Sequence, residues 1–181
     1  MKRVLEVLMT LICIASAPQS FADAQELSLQ KSITIDAPVD VVWKLVGDFN
    51  GINKWHPLLR QSQIVLGENN RPGCVRELTR ANGTKVNEKL LNRDAARMSL
   101  EYTAVSGTMI ATDYFSIISV RASDADAEKS VVEWQGRYKR KAYWTDEPPE
   151  GQDDKFSTEV LTRAYTVGLE ALKAKIEGGG Q

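Results

Sequence analysis

Few residues in this chain can do covalent or metal chemistry. Its 181 residues include one histidine, His56, and two cysteines, Cys13 and Cys74. A zinc site needs three or four N, S or O ligands at workable spacing, and one histidine with one distant cysteine does not supply them. No serine or cysteine has a histidine base in its local context, and a Cys74–His56 dyad has no supporting motif around it. There is no Gly-rich phosphate loop and no dinucleotide fingerprint. No metal or cofactor is therefore expected. The formal net charge is −1, so the chain as a whole lacks the basic surplus of a nucleic-acid or anionic-membrane binder. Internal repeats and low-complexity runs are absent, and no apolar run beyond the N-terminus is long enough to span a bilayer.

What is present begins with an export signal. Lys2 and Arg3 give a positive end, Val7 to Ala17 a short apolar run, and Ala22-Asp23-Ala24 a small-x-small cleavage site. Cleavage after Ala24 would release Gln25 to Gln181 to the periplasm. The run is too short for a membrane anchor, and Ile12 before Cys13 argues against a lipoprotein. Cleavage leaves Cys74 alone, so the mature chain cannot form an internal disulfide. Cys74 reads as a small apolar strand residue. At this length, with 43% apolar residues, one domain over residues 25–177 is expected, followed by a flexible tail at 178–181.

The ordering unit of the domain is its first stretch. Leu29 to Ile35 alternates as a half-buried strand. Pro38 then suits a first helical turn, with Val41, Val42, Leu45 and Val46 on one stripe and Gly47 or Gly51 as the stop. Lys54-Trp55-His56-Pro57 closes the unit. Strands follow at 63–67, 74–80, 84–91, 97–104, 112–121 and 129–140, separated by turn clusters such as Glu68 to Gly73. The segment 143–154, with its prolines, glycine and acids, is a long loop. Lys155 to Glu177 is a long helix, its stripe placed on Phe156, Val160, Ala164, Val167, Ala171 and Leu172 and widened by Leu161, Tyr165, Leu169 and Ile176. Hairpin-linked strands give an antiparallel sheet, and the long helix must bury its stripe on it. The fold class is α+β.

The central hairpin fixes a register. A three-residue loop Ala81-Asn82-Gly83, with Gly83 left-handed, sets Arg76 opposite Glu88 and Leu78 opposite Val86. A two-residue loop would oppose Arg76 and Lys89, a like-charge pair. The preferred register puts an Arg–Glu pair into an apolar face made by Cys74, Leu78, Val86 and Leu90. Such a pair is either a polar patch inside a cavity, able to orient a ligand, or a structural ion pair at the sheet's edge.

The sequence A-P-x-x-x-V-W-x-L-x-x-D-F, read here from Ala37 to Phe49, followed by Trp55-His56-Pro57, resembles the polyketide cyclase/dehydrase branch of the START-like (SRPBCC), helix-grip superfamily. Within that branch the chain is most similar to the exported MxaD-type proteins of methanol oxidation. The resemblance runs from Leu27 to Glu177. It implies a curved antiparallel sheet of about seven strands wrapped on the C-terminal helix, with a cavity between them. It also implies that Arg76, Glu88 and Tyr102 match the family's arginine, glutamate and tyrosine in these strands, and that Trp55 stands at the cavity mouth. Plain core is the other reading of Trp55.

Further cavity candidates come from periodicity. Val132, Trp134, Gly136 and Tyr138 share a face of the last strand, which places Trp134 and Tyr138 under the long helix near Ala164. Gly168 costs a helix roughly 1 kcal/mol relative to alanine, so something approaches closely there, either a ligand or the sheet. His56 is expected at the rim as a turn residue, with general-base chemistry as the competing role. Outside the cavity, Arg137, Lys139, Arg140 and Lys141 with Trp144 form the strongest basic cluster. It is either a docking patch for an acidic partner or a solvated strand end, and export argues against nucleic acid.

These readings give a monomeric, non-enzymatic exported protein. Its expected role is an accessory in periplasmic methanol oxidation, with the dehydrogenase or its cytochrome c as partner. A carrier of a lipid or other hydrophobic small molecule is one alternative. A cyclase or dehydratase using Glu88, Tyr102 or Arg76 is the other.

Overall fold

The computed structural model describes residues 25–179. The expected export signal and Cys13 lie outside the described residues, as does the end of the expected tail, 180–181. The chain folds into seven antiparallel strands, two α-helices and one 3₁₀ segment. In order these are β1 (Leu27–Ile35), α1 (Val39–Val46), the 3₁₀ segment (Phe49–Lys54), β2 (Leu59–Leu66), β3 (Val75–Arg80), β4 (Lys85–Asp94), β5 (Ser99–Gly107), β6 (Ala111–Ala122), β7 (Ser130–Arg140) and α2 (Asp154–Gly178). The sheet order is β1-β7-β6-β5-β4-β3-β2. From β2 to β7 it is a meander of hairpins, and β1 returns to pair along the whole of β7, from Leu27 opposite Tyr138 to Ile35 opposite Ser130.

One face of this curved sheet carries the core, as strand alternation demands. Leu78, Val86, Leu90, Leu100, Tyr102, Tyr114, Ile118, Val132, Trp134 and Tyr138 are all buried there. The central hairpin has the expected register, with Arg76 opposite Glu88 and Leu78 opposite Val86. Gly83 has φ +83°.

Both helices close the same face, but with different stripes from those expected. Pro38 is the N-cap of α1, one residue before the helix. Val42 and Val46 are buried while Val41 is 46% exposed. In α2 the buried side is Ser157, Leu161, Tyr165, Gly168, Leu169 and Leu172, and Phe156 and Val160 are exposed. The stripe is thus centred on Tyr165, not on Ala164. Asp153 caps α2 by accepting from Phe156 N at 2.7 Å. Far along the helix, Lys173 Nζ donates to Thr34 O at 2.7 Å, which ties it to the end of β1. β2 begins four residues before the expected start at Gln63, because Leu59 and Gln61 still pair with β3 on either side of a bulge at Arg60.

The turn at residues 68–73 has a structural use. Asn70 Oδ1 accepts from Phe49 N at 2.8 Å, and Asn69 Oδ1 from Asn50 N at 3.1 Å. Two asparagines thus satisfy the free N–H groups at the start of the 3₁₀ segment. That segment delivers Trp55 and His56 into the space between sheet and α2.

Candidate functional site

A cavity of about 320 Å³ lies between α2 and the sheet. Val160, Leu161, Ala164 and Tyr165 form its helical wall. Leu78 and Val86 come from the central hairpin, Ile52, Leu58 and Leu59 from the 3₁₀ segment and the start of β2, and Met109 and Ile110 from the β5–β6 connection. Its polar lining is His56, Arg80, Tyr114, Tyr165, Arg163 and the indole of Trp134.

His56 is held inside, not at the rim. It is 5% exposed. Its Nε2 lies 3.1 Å from Ala164 O and its Nδ1 accepts from Leu58 N at 3.3 Å. Only the neutral ring protonated on Nε2 serves both partners. Burial pushes its pKa down to about 4, and the nearby Arg76 and Arg80 charges push the same way. This ring also accounts for Gly168. A Cβ there would sit 2.6 Å from His56 Cδ2 and 3.2 Å from Trp134 Cζ3. The close approach is that of an imidazole from the 3₁₀ segment.

Beside His56 lies a buried hydroxyl network. The Trp134 ring stacks on Tyr165, centroids 4.2 Å apart. Trp134 Nε1 donates to Tyr102 Oη and Ser116 Oγ, both at 2.9 Å. Tyr165 Oη lies 2.9 Å from Ser116 Oγ and 2.7 Å from Tyr114 Oη. Ser116 Oγ donates to Gln135 O at 2.8 Å. Burial pushes the Tyr102 phenol up to about 12 and raises Tyr114 and Tyr165 well above the ordinary range. All three stay protonated at neutral pH.

The Arg76–Glu88 pair is interior, at the centre of the closed core. Arg76 Nε and Nη2 donate to Glu88 Oε2 at 2.9 and 2.6 Å, and Nη1 donates to Phe49 O. The guanidinium lies 4.0 Å from the Phe49 ring centroid and 5.1 Å from that of Tyr102. The void beside it is only about 10 Å³, bordered by Trp55, Tyr102, Trp134 and Arg76. This is room for one water at most. Trp55, whose Nε1 is buried without a partner, is one of the residues bordering that void.

The expected cavity set therefore divides. Trp134 and Ala164 line the large cavity, and Gly168 lies behind two of its lining side chains, His56 and Trp134. Trp55, Arg76 and Tyr102 border the small void, and Glu88 is spent on Arg76. Tyr138 is buried under the start of α2, its hydroxyl 3.0 Å from Thr158 Oγ1, away from both spaces. His56 as a lining residue, Arg80, Tyr114 and Tyr165 are additions. The helix-interior glycine and the β6 alternation of Tyr114, Ser116, Ile118 and Val120 were the signals that pointed to them.

The basic cluster is already largely paired. Arg137 lies 3.8 Å from Glu26, Lys139 3.8 Å from Asp113 and Arg140 3.4 Å from Asp154. Arg140 also donates to Ala142 O and Thr145 O. Lys141, Tyr143 and Trp144 remain exposed. A second groove of about 290 Å³ lies on the opposite face of the sheet, over Phe115, Ile117 and Arg137.

A curved seven-stranded antiparallel sheet closed by a long C-terminal helix defines a helix-grip protein. The chain belongs to the family described as polyketide cyclase / dehydrase and lipid transport, which matches residues 26–177. Its fold is similar to that of the Zhui aromatase/cyclase of a Streptomyces species, with a TM-score of 0.70, 20% identity, and 84% of this chain and 94% of that one covered. Two Arabidopsis thaliana proteins resemble it in sequence. MLP-like protein 423 is 25% identical, covering 66% of this chain and 81% of its own length. Abscisic acid receptor PYL6 is 25% identical over 52% of this chain, which spans only 45% of the receptor's length.

Proposed function

We propose that this is a non-enzymatic binding protein that takes a small hydrophobic molecule into the cavity under α2. The observation that carries this reading is the cavity itself. It is walled by aliphatic side chains, with a few fixed polar groups at its edges, which is the general form of a small-molecule site. Its buried titratable groups suit binding better than catalysis. Both nitrogens of His56 have partners and its pKa lies far below neutrality, whereas an efficient general base titrates near the working pH. The tyrosines are raised in the opposite direction. Glu88 and Arg76, two of the groups a cyclase reading would use, are bonded to one another away from the large cavity. One relative is named as a receptor for abscisic acid, and a fold neighbour as an aromatase/cyclase. Both names associate this architecture with small organic molecules.

The test uses the neutral fluorophore N-phenyl-1-naphthylamine. The wild-type protein should bind it with enhanced emission. The variant Val160→Trp, at a half-exposed position on the cavity wall, should fold normally and lose most of that signal. Equal binding by folded wild type and variant would place the probe elsewhere and defeat the reading.

The second reading is the accessory role in periplasmic methanol oxidation. It rests on the MxaD-type likeness and the export signal, and the exposed Tyr143–Trp144 pair beside Lys141 favours it as a docking spot. The internal pairing of Arg137, Lys139 and Arg140 weakens the field such a surface could project.

A further inference from the structure

We propose that the ligand is a small amphiphile with one carboxylate, whose headgroup pairs with Arg80 and Arg163 while its apolar body lies over Trp134. This rests on reading the cavity as a binding site and names the ligand's chemical class.

The argument starts from charge. The cavity lining holds two guanidinium groups and no carboxylate. Every bond that Arg80 makes goes to a neutral atom. Nη1 donates to Thr108 O at 2.8 Å and to Thr84 Oγ1 at 3.3 Å, and Nη2 lies 3.6 Å from Met109 Sδ. Arg80 is only partly exposed, and burial lowers its pKa. Arg163 stands exposed on α2 and has no ion-pair partner among the described residues. The nearest contrast is Arg76, whose burial is matched by Glu88 at 2.6 Å. A partly desolvated cation bonded to no carboxylate is costly, and the carboxylate whose charge reaches Arg80, Glu88, is already bonded to Arg76. In a chain of net charge −1, two arginines bordering one apolar cavity, one partly buried and one exposed, are not a general excess of base.

Geometry narrows the class. Arg80 Nε–H makes no bond and Nη2 has only the long contact to Met109 Sδ, so the Nε/Nη2 edge of the planar fork has no oxygen partner, and such an edge matches a carboxylate bidentately. A cavity of about 320 Å³ is at the small end of ligand sites, so the body is one short chain or one small ring system, not a two-chain lipid. A cationic amphiphile would meet two like charges. A neutral one would leave them unpaired.

The test is calorimetric titration with decanoate, 1-decanol and decylamine at low and high salt. Decanoate should bind about tenfold or more tightly than decanol, as expected for a charge-assisted pair, and the gap should narrow in salt. Decylamine should bind weakest. Arg80→Gln, which keeps a donor for Thr108 O, and Arg163→Gln should each weaken decanoate several-fold and leave decanol unchanged. Arg163 is on an exposed helical face, so its variant remains informative even if the Arg80 variant misfolds. Equal affinity for decanoate and decanol in the wild-type protein would overturn this inference and leave the apolar-site reading standing. Failure of all three probes to bind would overturn both.

Discussion

The residue that sets the chemistry of the site is His56, and nothing local announces it. A lone histidine between tryptophan and proline reads as a turn residue. Only the fold shows that the 3₁₀ segment turns it inward to meet the Ala164 carbonyl. Arg76 and Glu88 are the opposite case. Their pairing followed from loop length and charge before any fold was known, and the observed register matches. The depth of that pair was not legible, because it depends on Phe49 and Tyr102 closing over it. The neutral His56 has a measurable consequence. Its pKa is near 4 in the fold against an unfolded value near 6.5, so between those values the unfolded chain binds more protons. Stability therefore falls as pH drops from about 6.5 to 4, by on the order of 3 kcal/mol at the lower end. Urea midpoints measured across this range should fall for the wild-type protein and much less for His56→Asn. Asp48, lowered from 3.8, acts below this window, and Glu177, lowered from 4.5, overlaps only its lower end.

At the scale of elements, strands were more legible than the helical faces. Strand alternation has a period of two and a buried face, so a one-residue error would invert the whole strand. A helix with apolar residues on more than half its circumference allows several stripes, and α2 has Phe156, Val160 and Val167 competing with Leu161, Tyr165 and Leu169. The sheet chose the set containing Tyr165, because its hydroxyl completes the network with Ser116 and Tyr114. Gly168 belongs to the same choice. Helix propensity alone predicts that Gly168→Ala stabilises α2 by about 1 kcal/mol. The new Cβ would be 2.6 Å from the enclosed His56 ring, and overpacking of this kind costs about 1–3 kcal/mol. Packing wins, so thermal denaturation should show a lower midpoint for Gly168→Ala. In the double variant with His56→Ala, the same glycine replacement should no longer destabilise.

For the whole molecule, the order of strands and the long final helix carried the α+β class, the motif resemblance carried the helix grip, and the family match over residues 26–177 agrees with both. The cavity's place was harder to read. It depends on where three separate segments leave space between them, and no segment encodes that alone. The result is a core with two parts. Around Arg76 it is filled almost to the last atom, while between Leu78, Val86, Leu161 and Trp134 it stays open. The sheet's outer groove is nearly as large but lies over Phe115 and Ile117. The most direct test of the central claim is therefore NMR of the methyl-labelled protein with decanoate, observing intermolecular NOEs. The account predicts NOEs from the alkyl chain to methyls of Leu78, Val86, Ile110 and Leu161. NOEs confined to Ile117, in the outer groove, would put the ligand on the outer face and contradict it.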